Sequence, residues 1–277
     1  MEAGQPSRTA LGAARLRAAH QVQEGGRIFS DPLALRIIGE DARALAGDVD
    51  AATAGLRRFI AARSRFAEDS LAAARAAGAI QLVVLGAGLD TYAYRNPDSD
   101  LRIFEVDHPA TQAWKRQLLA DAAIAIPESL TFVPVDFEQD SLAQTLRGGG
   151  FDETRRGFFT CLGVVSYLSR PALKATLEYI ADLPGGAEVV FDYTNPPASV
   201  ADPARRAALA AINNRVAALG EVVRIEFETQ ALHVELRGLG FATIEDLGPV
   251  QIATRFFGAP AGARPDRGAH ILRAATR

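Results

Sequence analysis

The sequence predicts an α/β fold, a mostly parallel sheet covered by helices on both faces, and two observations predict it. Short, almost continuous apolar runs alternate with amphipathic stretches from residue 80 onward, and helical periodicity alone fills the chain before the first of those runs. Parallel strands buried on both faces read as unbroken apolar runs because helices cover each side.

The leading segment reads as helices in order. Residues 9–24 are rich in alanine and arginine, carry Leu11, Leu16 and Val22 at helical spacing, and stop at Gly25-Gly26. Asp31-Pro32 starts a second short helix, with Asp31 as N-cap and Pro32 at the first helical position. From 51 to 77 the apolar residues Leu56, Phe59, Ile60 and Leu71 keep a helical period, and Gly78 ends the segment. Residues 1–78 are therefore expected to form an N-terminal helical cap, and 79–277 the sheet domain.

The strand candidates of that domain are 80–85, 101–106, 130–135, 157–165 and 187–193, with helices expected at 109–125, 141–146 and 170–183. Asn195-Pro196-Pro197 breaks the rhythm. A long alanine-rich helix at 203–219 and another at 229–237 then form an insertion, about 195–238, expected to cover the site as a lid. Strands at 241–247 and 269–274 close the chain, separated by an irregular stretch at 258–268.

Composition narrows the function. Among 277 residues, 30 Lys and Arg face 33 Asp and Glu, and a net charge of −3 gives no bulk drive toward nucleic acid or anionic membrane. The one cysteine, Cys161, can form no internal disulfide, and four histidines lack metal-ligand spacing, so a cytoplasmic, metal-free protein is expected. Residues 1–11 lack an apolar signal core, and no stretch approaches the ~20 apolar residues that span a bilayer.

The candidate site lies at the exit of the first strand, in Leu85-Gly86-Ala87-Gly88-Leu89-Asp90-Thr91, read as a strand-loop-helix passage. Gly86 and Gly88 let the chain turn sharply and bring backbone N–H groups close to a ligand, as any tight loop also does. Neighbouring residues sharpen the reading. Twenty-one residues past Gly86, the second strand ends in Glu105-Val106-Asp107, near the spacing at which a carboxylate meets a ribose diol. The third strand exits at Val135-Asp136-Phe137, where an Asp can bind the exocyclic amine of adenine under an aromatic ring. Asp90 would repel a pyrophosphate, and Thr91 replaces the third glycine of a dinucleotide fingerprint. A phosphate-free, cationic ligand such as S-adenosylmethionine suits these carboxylates better than a nicotinamide dinucleotide.

These residues, with Phe104 to Pro109, Lys115, Arg8 to His20, Phe29 to Ala34 and Ala62 to Phe66, resemble the leucine carboxyl methyltransferase superfamily. The closer match is its bacterial branch of S-adenosylmethionine-dependent methyltransferases, some of which modify small natural products. The resemblance covers nearly the whole chain. It implies a Rossmann-like, seven-stranded class I methyltransferase fold with a helical cap and an inserted lid. By match to the family's motifs, Arg63 would hold the methionine carboxylate, Gly86 and Gly88 the cofactor at the backbone, Asp107 the ribose, and Asp136 with Phe137 the adenine. Glu105 is then a structural partner. One position departs: Cys161-Leu162-Gly163 places Leu162 where the family usually carries a Glu, so the cofactor's amino group must find backbone carbonyls near Gly86 or Leu162.

The implied reaction is O-methylation of a small-molecule carboxylate or hydroxyl. A carboxylate is already ionised at neutral pH and needs no base, whereas a hydroxyl does. His20 in the cap and Tyr193 at the end of the fifth strand are the candidate catalytic residues, and Tyr193 reads equally as core packing. His108 reads better as structural, His233 is ambiguous, and Arg15, Arg17, Arg27 and Arg255 read singly as solvated. Cys161 reads as a small buried residue rather than a nucleophile. A non-catalytic adenosyl-binding or assembly protein on the same fold is the second reading, and a nicotinamide oxidoreductase the third. The sequence assigns no oligomeric state.

Overall fold

The computed structural model describes residues 7–41, 45, 51–218, 222–260 and 267–277. Seven strands, β1 (Gln81–Leu85), β2 (Arg102–Asp107), β3 (Leu130–Pro134), β4 (Gly157–Cys161), β5 (Ala187–Thr194), β6 (Thr243–Leu247) and β7 (Ala269–Ala275), form one sheet in the order β3-β2-β1-β4-β5-β7-β6. The first five run parallel, and β7 runs antiparallel between β5 and β6. The mostly parallel α/β expectation therefore holds, and every residue of the central strands β1 and β4 is buried. Strand order reverses where β1 meets both β2 and β4. In such sheets a crevice opens beyond the strand ends at that reversal.

The helices before β1 are α1 (Arg8–Gln23), α2 (Ala34–Ile38) and α3 (Ala51–Ala76). They share buried cores with the later chain. Phe66, Leu71 and Ala74 of α3 pack on Leu82, Val84, Ile103 and Phe158 at one face of the sheet. Ala14, Ala18 and Ile37 cluster with Leu89 and with Leu119 of α4 (Pro109–Asp121). The opposite face is covered by α5 (Leu142–Gly148), α6 (Arg170–Ala181) and α8 (Thr229–Gly238), which bury Leu146, Leu173, Leu177, Leu232 and Leu236 against Val83, Phe104, Phe159 and Val189.

Several expectations need correction. After β1 the chain makes one 3-10 turn, Tyr92–Tyr94, instead of entering a helix. Pro97 disfavours helical backbone at Asn96, and the side chains of Asn96 and Asp98 accept from the N–H groups of Asp98 and Asp100, closing turns that lead into β2. Asp31 is not the N-cap of α2: that position is Leu33, and the Asp31 side chain accepts the Leu33 N–H in an earlier turn. The inserted stretch holds α7 (Pro203–Ala218) and then α8, and α8 is anchored in the sheet's core; the expected end of the first helix at 219 lies outside the described residues. A helix missing from the sequence reading, α9 (Pro249–Phe257), starts at a proline and ends at Gly258 with φ +66°, the asymmetry that marks helix ends. Residues 261–266 of the expected irregular stretch lie outside the described residues. No described helix is long and apolar enough to cross a membrane.

A buried carboxylate fastens α1 to the loop after β1. Asp31, 1% exposed, accepts from Arg17 Nε at 2.7 Å and from the Thr91 hydroxyl at 2.7 Å, while Arg17 Nη2 donates to the Leu89 carbonyl at 2.6 Å. Burial pushes the Asp31 carboxyl up, but Arg17, Thr91 and Arg95 together hold it below its ordinary value. A lowered folded pKa means that the contribution is complete above the unfolded value and is lost as pH falls through the folded one. Asp31→Ala leaves Arg17 buried without its partner and is expected to cost about 3–5 kcal/mol in denaturant unfolding. The variant should also show a flatter loss of stability on acidification than the parent.

Candidate functional site

The crevice at the strand reversal is built on two glycines with left-handed backbone. Gly86 has φ +63° and Gly88 φ +44°, conformations that cost an L side chain about 1–2 kcal/mol. A Cβ on Gly86 would come 2.3 Å from Val164 Cγ2, and one on Gly88 3.1 Å from the Ala10 Cβ of α1. The turn is thus touched from the β4 side by Val164 and roofed by α1. Asp90 closes the 3-10 turn by accepting the Tyr92 N–H at 2.8 Å. Because no long helix starts here, the positive helix end that holds phosphates is missing, in keeping with the argument from Asp90.

Asp107, at the end of β2, is braced against this turn. Its Oδ2 accepts from Gly88 N–H at 2.6 Å and its Oδ1 from His108 N–H at 2.7 Å. Burial raises the Asp107 carboxyl above its ordinary value, against the pull of those two N–H groups and of Lys115 and His108. Next along the sheet edge, Val135 donates to the Asp107 carbonyl at 2.9 Å, which carries Asp136 and Phe137 to the same end of the sheet. The Asp136 carboxylate accepts from Glu138 N–H and Gln139 Nε2, and Phe137 packs on the core beneath.

On the other side of the turn lies a pair that sequence reasoning saw only in half. Arg63, on α3, donates through Nη1 to Asp192 Oδ2 at 2.9 Å, and Asp192 Oδ1 accepts from Gly163 N–H at 2.6 Å. The sequence points to the neighbouring Tyr193 and not to Asp192. Alternation along β5 points the two side chains to opposite faces, and the polar exit of an apolar run was the available signal. Leu162, partly buried, packs with the cluster on the α3 side of the sheet.

The two catalytic candidates sit elsewhere. His20 is fully buried: Nδ1 meets Glu24 at 2.7 Å, and Nε2 faces the N–H groups of Ile28 and Phe29. It holds the turn after α1 together. Tyr193, 1% exposed, donates its hydroxyl to Asp246 at 2.7 Å and stacks on His270 at 4.7 Å between ring centres. Its core-packing reading is the one the structure supports. His233 joins the same network through Asp246 Oδ2 at 2.7 Å. His108 caps α4, accepting from Ala110 N–H. Glu105 is buried in an ion pair with Lys115 at 2.8 Å and accepts from the Tyr94 hydroxyl. Burial raises the thiol pKa of Cys161, next to Leu162, and opposes thiolate formation. Of the arginines read as solvated, Arg17 is buried in the Asp31 cluster, and Arg255 lies on α9 over the Phe66 ring.

The family model described as leucine carboxyl methyltransferase matches residues 10–181, a stretch that contains Arg63, Gly86, Gly88, Asp107, Asp136 and Phe137. YktD of Bacillus subtilis (strain 168), provisionally named an S-adenosyl-L-methionine-dependent methyltransferase, is 36% identical over 206 residues, covering 71% of this chain and 65% of YktD. The match thus spans just under two thirds of that relative. A Mycobacterium avium (strain 104) protein of the same description is 31% identical over 229 residues, 79% of this chain and 72% of its own length. A solved structure from Thermobifida fusca YX, provisionally identified as a methyltransferase, shares the fold with a TM-score of 0.55 at 18% identity, covering 100% of this chain and 97% of that one. With the family model covering most of the chain and the relatives extending through the same strand-end residues, the chain belongs to the leucine carboxyl methyltransferase family.

Proposed function

We propose that this protein is an S-adenosylmethionine-dependent O-methyltransferase acting on a small molecule, with a carboxylate acceptor ahead of a hydroxyl. The observation that carries the reading is Asp107, held by two backbone N–H groups beside two left-handed glycines. A carboxylate has about four acceptor positions, and these two bonds leave the others for a ribose diol. Gly86 and Gly88 let Val164 and Ala10 close on the turn without a clash, which keeps its backbone tight beside Asp107. Arg63 has a buried Nε with no hydrogen-bond partner among the described residues, a cationic donor suited to a carboxylate. The donor set therefore fits the cofactor that the relatives' names describe.

Bound S-adenosylmethionine would supply a methyl group on a sulfonium, open to in-line displacement by an acceptor oxygen. The protein's contribution is alignment, worth up to roughly 7–11 kcal/mol in well-oriented systems. Asp107 and Arg63 fix the two ends of the cradle, and α1 with the 162–164 turn walls it. Both base candidates, His20 and Tyr193, are engaged in buried networks, which supports an acceptor that arrives already ionised.

Calorimetry of the full chain with S-adenosylmethionine and S-adenosylhomocysteine should show binding, and transfer of labelled methyl to small carboxylic acids should give products that release methanol in alkali. Alkali-stable products would favour a hydroxyl acceptor, and an absence of adenosyl binding would favour an assembly role on the same fold. Asp107→Ala should weaken S-adenosylhomocysteine by about 1.5–3 kcal/mol, the range of charge-assisted hydrogen bonds. Because burial raises the Asp107 carboxyl, affinity should fall on acidification at a higher pH than the ordinary aspartate value of 3.8 would give. Gly86→Ala should lower the melting temperature and weaken binding, since the new methyl meets both the left-handed backbone and Val164.

A further inference from the structure

Arg63 and Asp192 come from distant parts of the chain, α3 and β5, and meet where the glycine turn ends. Each side chain is 12% exposed. Their separation is 2.9 Å at Nη1 and Oδ2, and Gly163 N–H holds the second carboxylate oxygen. Gly163 has φ +71°, and a Cβ there would lie 2.9 Å from both Nη atoms. The guanidinium therefore rests directly on Gly163. The next residue, Val164, is the one that touches Gly86. The pair is thus joined to the cofactor turn through two consecutive residues, with Leu162 as its apolar neighbour on the other side.

We propose that Arg63 and Asp192 form a single clamp for a zwitterionic amino-acid group. Arg63 takes the carboxylate, and Asp192 takes the ammonium from the end of β5, supplying the negative charge that Leu162 does not supply from the end of β4. The proposal rests on the cofactor reading above and adds which residue meets the amino group. Its basis is charge complementarity. A guanidinium alone selects any carboxylate, whereas a guanidinium in contact with a carboxylate presents both signs a few ångströms apart, the pattern of an α-amino acid. Partial burial strengthens both contacts relative to water. Arg63 has donors to spare, because only one of its five N–H groups is bonded to Asp192.

The alternative, an ammonium held only by backbone carbonyls, makes a different prediction for a variant at 192. The test uses calorimetry on the full chain with three ligands. S-Adenosylhomocysteine carries both charges, its deaminated analogue lacks the ammonium, and 5′-methylthioadenosine lacks the whole amino-acid end. The parent should bind S-adenosylhomocysteine at least about tenfold more tightly than the deaminated analogue, as a charge-assisted contact implies. Asp192→Asn should erase that preference and leave 5′-methylthioadenosine affinity unchanged. The clamp is overturned if the parent binds S-adenosylhomocysteine and the deaminated analogue equally. It is also overturned if Asp192→Asn keeps the preference, or weakens 5′-methylthioadenosine as much as S-adenosylhomocysteine, which makes Asp192 a purely structural residue. A parent that binds none of the three ligands defeats the cofactor reading itself, an outcome distinct from those that overturn the clamp.

Discussion

The site depends on one buried carboxylate that does not belong to it. Asp31 collects Arg17 from α1 and Thr91 from the loop after β1, and Arg17 in turn holds the Leu89 carbonyl. Replacing a buried ion pair by apolar side chains is often neutral, whereas breaking one is costly. The cluster's value therefore lies in specificity of position. It fixes a helix that would otherwise have only small apolar contacts to a loop that would otherwise have no long helix behind it.

The same logic repeats across the strand ends. In the loop that leaves β1, three backbone groups are held by charged side chains: Gly88 N–H by Asp107, Tyr92 N–H by Asp90, and the Leu89 carbonyl by Arg17. Gly163, past β4, finds Asp192. The loops are thereby ordered by charged side chains from neighbouring elements, not by a helix dipole. The described strand-end loops gather the Asp90, Asp107 and Asp192 carboxylates and the Arg63 guanidinium, a charge pattern unlike that of a phosphate cradle.

Much of this was legible in the sequence because it depends on local pattern. Apolar runs marked the strands, since parallel strands covered on both faces have no polar side. The glycines and the carboxylates ending β2 and β3 were readable at fixed distances from one another. What was not legible depends on phase or on partners far along the chain. Asp192 and Tyr193 are adjacent in sequence, and only the face each takes separates the partner of Arg63 from a core group. His20 has the chemistry of a base, but Glu24 and the N–H groups of Ile28 and Phe29 consume it. The absence of a helix after the glycine turn followed from Asn96-Pro97-Asp98, whose turn chemistry outweighed the analogy with nucleotide folds. α9 was missed even though Pro249 and Gly258 bracket it in plain view.

The approach of Gly88 to Ala10 gives the alanine-rich first helix a meaning that its chemistry does not suggest. A side chain of one carbon at that point lets helix and turn approach each other about as closely as two chains can. Small residues there encode a distance, as a spacer does, and the cap's composition is a specification of clearance. Drift at position 10 toward bulk would then act like a change in the glycine itself, so that two residues 78 positions apart are subject to one steric constraint.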